Sequence, residues 1–240
     1  MGNIKNSKKW VVPILMFIFC EFIYRQHLVK YLLDRDYLVV NFFENSFLNK
    51  TFSFGLLNFA IAVIILLISK FIFKEKLTSI DSSDKMSLRK SAIIVFSAVV
   101  VTIIIFYLLT YIIYDVLDSS VNSAAAIYIR DIYMRNKFIY VIFTFFTVTF
   151  EEVVYRKLLF GYLYDLHSGC NRFVRLITSL LGSVIIFGAI HDGVLSSGMI
   201  YYVIAGISFT IVYFYTKRIS AAIAIHFLYN ICVRLIRTII

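Results

Sequence analysis

What most limits the folds open to this chain is one apolar stretch, residues 138–166, which reads F-I-Y-V-I-F-T-F-F-T-V-T-F-E-E-V-V-Y-R-K-L-L-F-G-Y-L-Y-D-L and carries two adjacent carboxylates and an arginine in its middle. About 20 apolar residues cross a bilayer as a helix, and this run is longer. Glu151 and Glu152 therefore fall roughly halfway through the hydrocarbon. Ionisable groups at that depth are costly and mark functional sites by default. The rest of the chain agrees with a membrane setting: 61% of its 240 residues are hydrophobic and 16% are charged, a balance foreign to water-soluble domains. In lipid every backbone polar group must be satisfied within the protein, and runs of this length do so as helices. The expected fold class is all-α, a polytopic helical membrane protein.

Seven spans are expected, at residues 10–24, 52–73, 91–117, 138–166, 173–191, 199–215 and 219 to the C-terminus. Pro13 near the start of the first span does little harm, because the first helical N–H groups have no partner anyway. Residues 25–50 alternate charge with Leu, Tyr and Phe and read as an interfacial helix or ordered loop, whereas residues 74–90 and 118–137 read as polar connections. Lys5, Lys8 and Lys9 before an apolar run resemble a signal peptide, but no small-residue cleavage site follows, so this is read as a retained span. No repeat or low-complexity linker divides the chain, which is expected to form one integral domain over residues 1–240, with N-terminal spans in 1–137 and a core in 138–240. The net charge of +10 comes from Lys and Arg beside apolar runs, so lipid and topology account for it and a nucleic-acid partner is not expected. The basic tail, the 74–90 loop, Arg172 with Arg175, and Lys217 with Arg218 fall on one side, which makes the N-terminus cytoplasmic in a multi-pass cell-membrane protein. Three cysteines without C-x-x-C spacing indicate neither disulfides nor a thiolate zinc site.

Positions four apart share a helix face, so Glu152 can pair with Arg156 while Glu151 points about 100° away and is left free. The bland reading of the pair is an ion pair locking the span. The second element is F-G-A-I-H, which sets Phe187 and His191 on one face. The third is H-F-L-Y-N, which sets His226 beside Asn230. Taken singly, each is as easily interhelical glue. Taken together, a carboxylate, two imidazoles and an amide on three spans supply a water-activating base, its partner and oxyanion donors, the parts of metal-free amide hydrolysis. Glu151, His191 and His226 could instead hold zinc with an open water position, although H-E-x-x-H is absent. Convergence requires tilt or irregular backbone, and the Gly-rich, nearly uncharged D-G-V-L-S-S-G after His191 suits the latter. Asp192 is expected to face solvent rather than orient His191, His27 and His167 to be solvated, and Ser196 and Ser197 to lack the context of a serine hydrolase. Tyr201, Tyr202, Tyr213 and Tyr215 are read as core and interfacial belts.

E-E-V-V-Y-R, F-G-A-I-H and H-F-L-Y-N, in this order over residues 138–240, resemble the three motifs of the CAAX-protease and bacteriocin-processing (Abi, CPBP) family of intramembrane endopeptidases. The resemblance places the catalytic core in the last four spans. It implies that Glu151 and His191 activate the attacking water, that His226 and Asn230 stabilise the oxyanion, and that Glu152, Arg156 and Phe187 shape the site. Metal-dependent and metal-free mechanisms both belong to the family; no cofactor is expected here, with zinc as the alternative. The implied partner is a membrane-associated peptide or protein substrate. For a bacterial chain, which the Ile-, Phe-, Lys- and Asn-rich composition suits, this is a bacteriocin leader or signalling peptide. Two rivals differ in class: a non-proteolytic immunity or scaffold protein, and a proton relay or transporter, for which no inverted repeat is evident.

Overall fold

The computed structural model describes residues 7–74, 76–81, 83–116, 123–196 and 198–239. Lys5, Ser197, residue 117 at the end of the expected third span and residues 118–122 of the expected second polar connection lie outside them. The described residues are helical and contain no strand. In chain order, α1 runs through Ser7–Ile18, widens to a π-helix over Phe19–Val29 and closes as Lys30–Asp34. Next come α2 (Ser46–Phe71), α3 (Leu88–Tyr111, with a π-helical end Ile112–Val116) and α4 (Ala124–Arg135). Helix α5 combines Lys137–Glu152, a π-helix Val153–Phe160 and Gly161–Leu166, and is followed by α6 (Arg172–Asp192), α7 (Met199–Thr216) and α8 (Ile219–Ile239). All except α4 are long and apolar enough to cross a membrane, seven in number among the described residues.

The span count agrees with the sequence; two boundaries do not. The first span does not end at residue 24 but continues to Asp34, because Glu21, Arg25 and Gln26 bond to one another within the helix and so remove the cost that charge would otherwise impose. The connection before α5 is partly helical: Asn136 breaks α4 from α5 by accepting the Phe138 and Ile139 N–H groups at 3.0 Å, an N-cap that satisfies two orphan donors. Asn171 starts α6, its side chain accepting the Val174 N–H at 2.9 Å.

The chain divides into two compact units, residues 1–83 with 132–179, and residues 84–131 with 180–240. In the first, α2 packs along α5 through phenylalanines, Phe59 stacking on Phe146 with centroids 4.7 Å apart. Gly55 permits this approach, since a Cβ there would lie 3.1 Å from the Phe143 ring. Helix α1 lies against the π-helical turn of α5, with Phe17 edge-on to Tyr155 at 5.7 Å. The connection after α2 is not simply a solvated loop. Leu77, Thr78 and Ile80 are buried, Asp81 pairs with buried Lys157 at 2.6 Å, and Asp165 accepts from the Ser79 N–H at 2.8 Å.

In the second unit, α3, α7 and α8 share a core that includes Val95, Val99, Phe209, Val212 and Ile225. Thr102 and Ser208 hydroxyls meet at 2.6 Å across α3 and α7, the kind of polar contact that joins helices where water is absent. The two-residue turn between α7 and α8 works because Lys217 adopts a left-handed φ of 57°, ending α7 as a C′ residue does.

Gly161 faces Thr78 so closely that a Cβ would stand 2.7 Å from Thr78 Cγ2 and 3.0 Å from Oγ1. Gly161→Ala is expected to lower the thermal midpoint in detergent by pushing the 76–81 segment off α5. Adding Thr78→Ala, which deletes both clashing atoms, should recover most of the loss. Equal midpoints for the single variant and wild type would refute this packing.

Candidate active site

Glu151, Glu152 and Arg156 belong to the first unit; Phe187, His191, His226 and Asn230 belong to the second.

In the first unit the adjacent glutamates diverge as the helix requires. Glu152 turns inward and meets Arg156 Nε at 3.1 Å, with both side chains completely buried. Glu151 turns to α1, where its Oε1 lies 3.5 Å from Arg25 Nη1. The expectation of one paired and one free carboxylate therefore holds only for Glu152. Glu151 has a counter-charge because α1 continues past residue 24 and carries Arg25 alongside α5. Arg25 is held from behind: its Nη2 donates to Glu21 Oε1 at 2.5 Å, and Gln26 Nε2 donates to the same oxygen at 3.1 Å. A π-helix bonds residue i to i+5, so positions 25 and 26 both come round to Glu21, which an α-helix would not allow for the second. Sequence reasoning left Glu21 and Arg25 without a role. The available signal was their i,i+4 spacing inside an apolar run.

In the second unit both imidazoles pack on one ring. Phe187 lies 4.3 Å from His191 and 6.2 Å, edge-on, from His226. His191 also stacks on Tyr202 at 4.9 Å, and His226 on Phe209 at 4.3 Å. Tyr202 and Phe209 thus do more than line a belt, since they fix ring planes. His191 Nδ1 lies 2.7 Å from the Phe187 carbonyl oxygen. A carbonyl only accepts, so Nδ1 carries the proton and a neutral His191 presents an unprotonated Nε2. Asn230 is half-buried on α8, one turn beyond His226 and on its face.

The connection after His191 is irregular, with Gly193 at φ 85° and Leu195 at φ 62°. Asp192 neither faces solvent outright nor orients the imidazole; it is half-buried and accepts the Ser196 hydroxyl at 2.9 Å. Gly198 is required here, because any Cβ would fall 1.8 Å from Asp192 Oδ2. His27 is exposed, whereas His167 is half-buried with Nδ1 2.7 Å from the Leu163 carbonyl. In neither unit do three or more described His, Cys, Asp or Glu side chains stand together as a metal-ligand group.

Residues 134–232 match the family described as type II CAAX prenyl endopeptidase Rce1-like. The match spans less than half of the chain, and this stretch is similar to an Rce1-like domain. It comprises α5 to most of α8 and contains Glu151, Glu152, Arg156, Phe187, His191, His226 and Asn230. The Rce1-like family is one of membrane peptidases, and a multi-pass membrane peptidase is what the domain and the seven apolar helices together support. No curated protein and no solved structure matches the chain.

Two outcomes follow from these two groups. Glu152→Gln removes the carboxylate 3.1 Å from a fully buried guanidinium, and breaking such a buried pair typically costs about 3–5 kcal/mol, while Glu152→Gln with Arg156→Met should recover much of it; denaturant titration in micelles reads the difference. Nitrogen-15 NMR of histidine-labelled protein, at a pH where the rings are neutral, should show His191 protonated on Nδ1, and the opposite tautomer would contradict the Phe187 carbonyl contact.

Proposed function

We propose that the chain is an intramembrane endopeptidase that hydrolyses a peptide bond in a membrane-associated peptide or protein with water activated by Glu151 and His191. The carrying observation is that the Rce1-like match takes in every residue the chemistry needs. In this reading the Glu151 carboxylate takes a proton from water while His191, offering Nε2, orients that water. The hydroxide adds to the scissile carbonyl carbon. His226 and Asn230 donate to the oxyanion so formed, and the proton held by Glu151 passes to the departing nitrogen as the C–N bond breaks. Glu152 and Arg156 contribute by fixing α5. Their charges compensate each other, so neither competes for the reacting proton.

Zinc suits the imidazoles, whose Nδ1–H contact to a carbonyl at His191 is the arrangement that orients a metal ligand. It suits Glu151 poorly, because a guanidinium 3.5 Å away repels a dication. The metal-free reading is preferred on that ground. The substrate class is the leader of a bacteriocin or a signalling peptide, with a prenylated C-terminal peptide as the family's eponymous alternative, and the N-terminus is assigned to the cytoplasm from the basic connections.

The test uses purified protein in proteoliposomes with two fluorogenic reporters, a farnesylated peptide ending in a CAAX sequence and a membrane-anchored leader peptide. Glu151→Gln is expected to abolish cleavage with insertion unchanged. His226→Ala and Asn230→Ala should each lower kcat about 100-fold. Cleavage by Glu151→Gln at the wild-type rate would remove Glu151 from the mechanism. Chelation should leave the rate unchanged; loss restored by zinc would overturn the metal-free reading.

A further inference from the structure

The domain recognised by its family spans residues 134–232, yet the cation beside Glu151 comes from residue 25, in the first span. We propose that Arg25 is a positioning residue for Glu151, held in place by Glu21, so that α1 contributes to the site of an otherwise C-terminal domain. The inference rests on the reading of Glu151 as the water-activating carboxylate.

Three observations carry it. Arg25 uses two different nitrogens for two different carboxylates, Nη2 to Glu21 at 2.5 Å and Nη1 to Glu151 at 3.5 Å. A planar fork with donors on separate prongs can do this, and an ammonium cannot hold the same geometry. Glu21 is completely buried and binds both Arg25 and Gln26 through one oxygen, so it anchors the guanidinium from behind and leaves the second prong directed at Glu151. Lastly, α1 is fixed to the turn that carries Glu151: Arg25 Cζ lies 5.7 Å from the centroid of Phe150, Tyr24 packs on the same ring at 6.5 Å, and the Tyr24 hydroxyl donates to the Leu57 carbonyl at 2.7 Å.

The arrangement has a chemical purpose that a plain structural pair lacks. Glu152 meets Arg156 at 3.1 Å, and two glutamates against that one arginine leave a negative charge, which Arg25 faces at Glu151. The Arg25 charge is shared with Glu21, which lies closer, so Glu151 is steadied without being fully claimed. A carboxylate held this way keeps one direction toward its reaction partner while remaining able to accept a proton.

The experiment compares wild type, Arg25→Lys, Arg25→Gln, Glu151→Gln and a remote control, Lys50→Gln, on the same two reporters in proteoliposomes. Arg25→Gln is expected to lower kcat about 10- to 100-fold with KM nearly unchanged, the scale of a misplaced reacting group. Arg25→Lys should recover part of kcat, and Lys50→Gln should match wild type. Infrared difference spectra provide a readout that needs no substrate: the carboxylate band lost in Glu151→Gln should shift in Arg25→Gln and stay put in Lys50→Gln. If Arg25→Gln does not reach the membrane, Arg25→Lys carries both readouts, with a shifted band and a reduced kcat expected. Wild-type cleavage by Glu151→Gln, or no cleavage by wild type, overturns the reading of Glu151 and this inference with it. An inactive Glu151→Gln beside an Arg25→Gln of wild-type kcat overturns the Arg25 role alone. So does an unmoved Glu151 band, or an Arg25→Lys that is as impaired as Arg25→Gln.

Discussion

Charge inside hydrocarbon has to be compensated locally, and the first unit is arranged around that requirement. Four ionised groups come together on α1 and α5: Glu152 with Arg156 at 3.1 Å, and Glu151 with Arg25 at 3.5 Å. Glu21 adds a further carboxylate behind Arg25 at 2.5 Å. Glu21, Glu152 and Arg156 are completely buried, and a charge in that setting is tolerated only beside its partner, so the contact between Arg25 and Glu151 ties α1 to α5. The aromatic contacts then fill the space that the ion pairs define, as Phe17 does against Tyr155 and Tyr24 against Phe150.

Backbone geometry makes the compensation possible. Each helix has a π-helical segment at this point: Phe19–Val29 in α1 holds Glu21 and Arg25, and Val153–Phe160 in α5 holds Arg156, directly after the α-helical turn that carries Glu151 and Glu152. Wider turns are rare and cluster at functional sites because they move side chains off the regular α-helical register. Here the wider turn brings Arg25 and Gln26 onto the same oxygen of Glu21. In the second unit, positioning is done by rings instead of charges. His191 packs on both Phe187 and Tyr202, and His226 on Phe187 and Phe209, so rotation of either imidazole would have to displace aromatic neighbours.

Hydropathy made the seven spans legible, since nothing else satisfies the backbone of such long apolar runs. The Glu152 and Arg156 pair was legible from i,i+4 spacing, as was the shared face of Phe187 and His191. Arg25 was not, and the reason is physical: a window rule scores a Glu, an Arg and a Gln as three penalties, whereas in the helix they satisfy one another. Similarly, the 74–90 stretch looked like a solvated loop because its buried members, Leu77, Thr78 and Ile80, are few and carry no periodic pattern. Long-range partners such as Asp81 with Lys157 leave no trace in local sequence.

Helix α1 carries Arg25 and lies outside the stretch that the family model recognises. A stretch can thus be portable as a pattern without being portable as an electrostatic whole. Transplanted among foreign helices, residues 134–232 would keep the contact of Glu152 with Arg156 but would lose the guanidinium that α1 sets 3.5 Å from Glu151. Any exchange of this core between membrane proteins, by recombination or by design, has to bring along an escort for that charge or build a new one.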